Sequence, residues 1–285
     1  MMKKICRISM NGTGRGDRLM ISLAYHDVVL VGKEDSSGFL GREAGAYKLN
    51  KEQFQMHLEQ ISRLDHVKVR TVAEDLQKPS EVGDTVTLTF DDGGISAYTI
   101  IADLLEAKGW KGHFFITTSQ IGANGFVSKE QIRSLDARGH IIGTHSCTHP
   151  SRFNECSWEQ QVHEWKVSVQ ALSEVLGKRV TTASIPGDAY NLQLAKAAAH
   201  AGIQYLFTSE PKVVTTRVDG CVIAGRYVMK KATSPETAAA IAAGDPVLRL
   251  RCAIQWKIRK AAMAMAGNRM LDMRKKVVGN SSVRY

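Results

Sequence analysis

Apolar residues along this chain keep two alternating rhythms. Val86 to Phe90, five residues of β-branched and apolar character, read as a short buried strand. The next stretch, Ser96 to Lys108, sets Ile100, Ile101, Leu104 and Leu105 at helical spacing and closes at Gly109, placed as a C-cap. His113 to Thr117 is strand again, and Ser128 with Gln131 then makes a capping box ahead of Ile132 and Leu135. His140 to Thr144, Val180 to Ile185, Gln204 to Thr208 and Cys221 to Val228 continue the strands. Between them lie a helix opened by Ser157 and Gln160, carrying Trp165, Val169 and Leu172, and another over Leu192 to Ala201. Upstream, Met20 to His26 reads as a strand, and Asn50 with Gln53 opens an amphipathic helix through Phe54, Leu58, Ile61 and Leu64. This alternation predicts an α/β fold: parallel strands with crossover helices, closed or nearly closed as a barrel.

Composition narrows the setting. At 285 residues and 44% hydrophobic the chain can bury a full core, and it has no apolar run long enough to span a membrane. Residues 1–19, rich in Gly and Arg, are expected to be a flexible leader, 20–232 the catalytic-type domain, and 233–285 a basic helical tail. Five scattered cysteines without paired spacing suit a reducing, cytoplasmic compartment. The formal charge of +10 is spread along the chain and accompanies no nucleic-acid motif, so no nucleic-acid partner is expected.

The polar residues gain meaning from where the strands end. Asp91 and Asp92 follow one strand, His145 and His149 another, Pro186 to Asp188 a third, Ser209 and Glu210 a fourth, and Tyr25 to Asp27 the first. In a parallel barrel these positions share one mouth, where such folds carry their chemistry. Adjacent carboxylates repel in a low-dielectric pocket unless a cation or different protonation roles separate them. Two imidazoles four residues apart, in a loop before Pro150, can complete an open metal site with one carboxylate. Cys147 between them reads as a small residue facing away, and the other histidines except His26 carry no assigned chemistry.

Thr89 to Gly93 and His145 to Pro150 resemble the first two motifs of the polysaccharide deacetylases, the NodB-homology domain also called carbohydrate esterase family four. Phe114 to Thr117, Gly125 to Ile132 and Arg138 to Gly143 resemble the family's connecting text, and the likeness covers roughly residues 20–230. The resemblance implies a distorted (β/α) barrel of about seven parallel strands, with Asp91 as catalytic base and Asp92, His145 and His149 as ligands of a divalent metal, most often Zn2+. It implies removal of N-acetyl groups from an N-acetylated glycan, in exopolysaccharide or cell-surface glycan synthesis. Pro186, Tyr190 and Arg226 are the expected substrate-binding residues, and a backbone N–H near His149 or Tyr190 the expected oxyanion donor.

Two departures from the family stand out. Ser184 occupies the place of an Arg that steadies the base, so either Arg226 substitutes in space or the base is tuned differently. No histidine follows His200 to serve as general acid, yet Leu23 to Asp27 is similar to a circularly permuted subgroup acting on poly-N-acetylglucosamine, in which the acid strand comes first. His26 is therefore the candidate acid, against a reading as a structural strand-end histidine. A sugar-binding pseudoenzyme, or a deacylase of a non-sugar amide or an O-acetyl ester, is the alternative function.

The tail opens at Asp245 and Pro246 as N-cap and first-turn proline. Val247, Leu250, Ile254, Ile258, Ala261 and Met265 line one helix face, with Arg249, Arg251, Lys257, Arg259 and Lys260 mostly elsewhere. Either this face packs on the barrel or a second subunit, or residues 245–265 contact anionic lipid at the inner membrane, which would suit a lipid-linked sugar substrate.

Overall fold

The computed structural model describes residues 19–77 and 82–279, with side chains placed for 19–74 and 82–263; the expected leader, residues 1–18, lies outside them. Its parallel strands are β1 (Ile21–Tyr25), β2 (Thr85–Phe90), β3 (His113–Ile116), β4 (Ile141–Thr144), β5 (Thr182–Ser184), β6 (Tyr205–Phe207) and β7 (Cys221–Ala224), paired in that order. The strand expected over Cys221 to Val228 is broken, and its second part, β8 (Tyr227–Val228), pairs with β1. One length of chain thus joins the two ends of the parallel series, with antiparallel Thr216–Val218 outside β7, and curls the sheet into a distorted barrel. The break has a local cause. The Arg226 N–H donates to the Glu210 carbonyl at 2.9 Å, and a Cβ at Gly225 would come within 2.4 Å of that same oxygen, so only glycine permits the approach.

Strand β2 shows why the chemistry points where it does. Val86, Leu88 and Phe90 enter the main core with Phe54, Leu58 and Ile61 of helix α1 (Lys51–Ser62), while Thr87 and Thr89 face the other way. Each large apolar side chain buried there contributes about 1.5–3 kcal/mol relative to exposure. Continued past the strand end, the two-residue period carries Asp91 to the side of Thr89, inside the barrel.

The crossover helices are α2 (Ala102–Glu106), entered through a wider turn over Ala97–Ile101, α3 (Lys129–Ala137), α4 (Trp158–Leu176) and α5 (Leu192–His200). Both serine capping boxes form, at Ser128 with Gln131 and Ser157 with Gln160. The Asn50 box forms only in part. Asn50 caps α1 by accepting from the Gln53 N–H at 2.7 Å, but the Gln53 amide donates to the Lys231 and Thr233 carbonyls instead of returning to the cap.

Helix α6 (Pro235–Ala242) gives Ala238, Ala239, Ile241 and Ala242 to the same core as β1. Helix α7 (Pro246–Gly279) starts at Asp245, whose carboxylate accepts from the Val247 and Leu248 N–H groups at 2.9 and 2.8 Å. Its expected apolar stripe does not pack on the barrel. Val247, Leu250, Ile254 and Ile258 are 49–73% exposed, while Leu248, Cys252 and Trp256 on another face turn inward; the side chain of Met265 lies outside the described residues. Among the described residues no helix is long and apolar enough to cross a membrane.

Candidate metal and catalytic site

Asp91 ends up gripped from inside the barrel. Arg226 Nη1 and Nη2 donate to its two carboxylate oxygens at 2.7 and 2.8 Å, Nη2 also reaches Ser184 Oγ at 2.7 Å, Nη1 reaches Thr89 Oγ1 at 3.1 Å, and Nε reaches the Thr208 carbonyl at 3.1 Å. The guanidinium is fully buried and lies over the Phe115 and Phe207 rings at 5.8 and 6.0 Å. Its expected place among the substrate-binding residues is therefore corrected: all five N–H donors are committed within the protein, so none remains for a sugar. Serine at 184 and arginine at 226 are complementary, because the hydroxyl accepts from the guanidinium that reaches Asp91 from the opposite end of the sheet.

Asp92, His145 and His149 converge beside it. Their candidate ligand atoms all lie within 4.8 Å of one another, with Asp92 Oδ1 3.4 Å from His145 Nε2 and 3.6 Å from His149 Nε2. The His145 Nδ1–H donates to the Ser184 carbonyl at 3.0 Å, which turns the Nε2 lone pair towards Asp92. Two imidazole nitrogens and one carboxylate, with positions left open, suit a divalent ion of the zinc type. The backbone here is strained: Asp92, Ser146 and His149 have φ of 76°, 64° and 58°, a region that costs a non-glycine residue about 1–3 kcal/mol. Cys147 is not in the converging set.

Electrostatics separate the neighbouring carboxylates. Burial opposes ionisation of Asp91, but Arg226 and then His145 outweigh it and hold the carboxyl well below the usual range. Burial also opposes charge on Asp92, and His145 followed by His26 lowers it. Burial disfavours the His145 imidazolium, yet Asp91 and Asp92 raise its pKa; burial and His145 push His149 down to about 4.

One cavity of about 920 Å3 unites these groups, bordered by His26, Asp91, Asp92, His145 and His149. His26 packs its ring 4.8 Å from that of Tyr47, and its Nδ1 is buried without a hydrogen-bond partner among the described residues. Ile185, Gly187 and Asp188 border the cavity, whereas Pro186 and Tyr190 do not; Tyr190 packs instead with Phe153, Trp165 and Leu194. Three N–H groups of the loop before Pro150, the stretch expected to hold the oxyanion donor, are already engaged within the protein. Glu164 accepts from the Cys147 and Thr148 N–H groups at 2.9 and 2.8 Å, and Ser146 Oγ from that of His149 at 3.0 Å.

Of three further cavity residues, Lys48 and Trp256 escaped the sequence reading, and Asp27 was placed at the mouth without a role. Asp27 is buried, accepts from the Ser37 and Ser96 hydroxyls at 2.5 and 2.8 Å, and burial raises its pKa. A Cβ at Gly94 would sit 2.0 Å from its carboxylate, so the second glycine after the acidic pair makes room for Asp27. Lys48 is buried and donates to the carbonyls of Glu34, Ser37 and Phe39 at 2.6–2.8 Å, which sets Phe39 4.9 Å from the His149 ring. Trp256 reaches the cavity from α7. The run Tyr25 to Asp27 was the signal for Asp27; a lone Lys48 and a tail tryptophan carried none.

Residues 78–206 match the family model described as polysaccharide deacetylase. The Bacillus subtilis (strain 168) protein YxkH, which carries a polysaccharide deacetylase designation, is 30% identical over 135 residues, 47% of each chain, and a chitin deacetylase of Pestalotiopsis sp is 35% identical over 68 residues, 24% of this chain and 22% of its own. The chain thus spans less than half the length of these curated relatives. The fold is shared with the Streptococcus pyogenes deacetylase PplD in complex with acetate (TM-score 0.65, 20% identity, 80% of this chain and 99% of that one) and with IcaB from Ammonifex degensii (0.64, 21%, 79% and 97%). The matched segment, residues 78–206, spans both motifs, the acidic pair and the two imidazoles, and the barrel around them is of the NodB-homology type: the part of the chain that carries this site is similar to the polysaccharide deacetylase family.

Proposed function

We propose that this chain is a metal-dependent hydrolase that removes N-acetyl groups from a glycan of the N-acetylglucosamine type. The observation that carries the reading is the convergence of Asp92, His145 and His149 within 4.8 Å, next to an Asp91 clamped by Arg226 on the same cavity. A divalent ion of the zinc type, held by Asp92, His145 and His149, would supply Lewis acidity towards the acetyl carbonyl and an acidified water. Asp91 accepts the proton of the attacking water on a carboxylate oxygen, and Arg226 fixes the plane of that carboxylate and keeps it ionised between turnovers. His26, on the same cavity wall, carries the proton that the departing sugar amine requires. The second motif departure is thereby answered from the first strand, as in the circularly permuted subgroup.

The same proposal takes its substrate from exopolysaccharide or cell-surface glycan assembly at the cytoplasmic face, with lipid-linked sugars included. Peripheral membrane contact through residues 245–265 belongs to the same proposal and draws on the exposed stripe Val247, Leu250, Ile254 and Ile258 with Arg251 and Lys257 beside it. Flotation with anionic and with neutral liposomes tests it; equal recovery from both removes membrane contact.

The test of the main reading is acetate release from chitooligosaccharides and poly-N-acetylglucosamine oligomers. Release that a chelator abolishes and zinc restores supports it. No release from any of these substrates in the metal-loaded protein leaves the sugar-binding pseudoenzyme in its place.

A further inference from the structure

Helix α7 does more than cover the barrel. One of its faces, with Leu248, Cys252, Trp256 and Arg259 at helical spacing, borders the same cavity as Asp91, Asp92, His145 and His149. Leu248 and Cys252 pack against the main core, and one residue, Asp188, holds the rest of that face. The Trp256 Nε1–H donates to both oxygens of Asp188 at 3.1 Å, Arg259 Nη2 donates to one of them at 2.5 Å, and Lys260 Nζ donates to the Asp188 carbonyl at 2.9 Å. Lys260 also sets its ammonium 5.7 Å from the centre of the Trp256 ring.

Asp188 is itself well placed for this task. It sits at φ 64°, an unusual conformation for an aspartate, in the turn that follows β5. The end of β5 also provides Ser184, whose hydroxyl accepts from Arg226 and whose carbonyl orients His145. The strand end that positions the candidate metal ligand therefore also positions the indole.

An indole placed only to fill space needs no such apparatus. Here its polar edge is pinned at two points and the ring borders a cavity of about 920 Å3, near the top of the range of roughly 300–1,000 Å3 for a small-ligand site. That volume leaves room for more than the one sugar ring being deacetylated. The C–H face of a pyranose is apolar and flat, and a tryptophan with its N–H already engaged offers it a rigid surface. We propose that Trp256 is a sugar-binding platform of this cavity, for a ring adjoining the one that loses its acetyl group, and that Asp188 is the residue that positions it. This proposal rests on the deacetylase reading above.

Full-length Trp256→Ala, Trp256→Phe and Asp188→Asn are compared with the unsubstituted chain on N-acetylglucosamine oligomers, with zinc loaded and metal content measured. Loss of a stacked ring is expected to raise KM about tenfold while kcat changes much less. Phe restores most of that binding because it keeps a ring, and Asp188→Asn raises KM by a smaller factor because the ring stays but loses part of its anchorage. In an Asp91→Asn background, oligomer titration is expected to perturb tryptophan emission, and Trp256→Ala to remove the change. An unchanged KM in Trp256→Ala, or a joint fall of kcat, KM and metal content that Phe does not rescue, overturns the platform while acetate release by the unsubstituted chain upholds the deacetylase. No acetate release from the unsubstituted chain, with a Trp256-dependent emission change retained, overturns the deacetylase and upholds the platform.

Discussion

Two aspartates at the mouth of this barrel are each held by an arginine, and they do opposite work. The Asp91–Arg226 pair is shut inside, with side-chain exposures of 5% and 0%, and every guanidinium hydrogen is spoken for. The Asp188–Arg259 pair lies at the rim, with exposures of 11% and 41%, and shares its carboxylate with an indole and its carbonyl with a lysine. Water can replace Arg259 at the rim; nothing can replace Arg226 inside. The inner clasp is accordingly a condition of the folded barrel and of an ionised Asp91, whereas the outer one governs where a single helix rests.

That contrast can be tested in order of expected effect. Asp91→Asn should lower acetate release by about a thousandfold, within the span typical of a lost general base, while metal analysis still finds the ion; loss of the ion would move Asp91 into the ligand set. His145→Ala should abolish both metal retention and turnover, and the same result for His149→Ala would tie the two rings to one ion. Arg226→Ala removes one partner of a buried pair and should cost about 3–5 kcal/mol in denaturant unfolding, with Arg226→Lys intermediate because one ammonium cannot reproduce a fork. Arg259→Ala, its rim counterpart, should cost under about 1 kcal/mol. A loss at the rim as large as that inside would erase the distinction.

A third carboxylate, at the other end of the barrel, provides a pH measurement free of the candidate metal site. Arg138, aided by His140 and Lys111, lowers Glu106 to about 2 against its burial, and burial lowers His140 to about 4 even though Glu106 opposes it. Both groups bind protons more readily in the unfolded chain, Glu106 between about 4.5 and 2 and His140 between about 6.5 and 4. Their contribution is thus complete above about pH 6.5 and fades as the pH falls through those windows. Glu106→Gln should flatten the acid limb of the stability profile below about pH 4.5; an unchanged limb would show that exposure to solvent has already cancelled the effect.

The strands and their end residues were legible because a two-residue period and a helical period differ sharply, and because Ser128 and Ser157 announce their helices. The acidic pair and the imidazole pair were legible as chemistry at strand ends. Arg226 was only half legible: a sequence states that Ser184 lacks a guanidinium, but only the curled sheet brings residue 226 across to residue 91. The tail was legible as a helix, but which of its faces turns inward was not. Residues 247, 250, 254 and 258 and residues 248, 252, 256 and 259 each repeat at helical spacing, and nothing local says that the second set, with its arginine and tryptophan, is the one that turns inward. Lys48 was invisible because three carbonyls from a loop of irregular chain satisfy it, and such a loop has no period to read.

The interrupted strand over 221–228 also sets the order of assembly. On a ribosome, β1 emerges early and finds β2 some sixty residues later, Leu23 beside Leu88, but its other neighbour, Tyr227, is not synthesised until most of the domain has been made. Until then the nascent sheet carries two raw edges, the kind of surface on which neighbouring chains pair by mistake. A seam that closes only once residue 227 has been made, between β1 and β8, favours slow folding of the barrel and leaves its edges open until then.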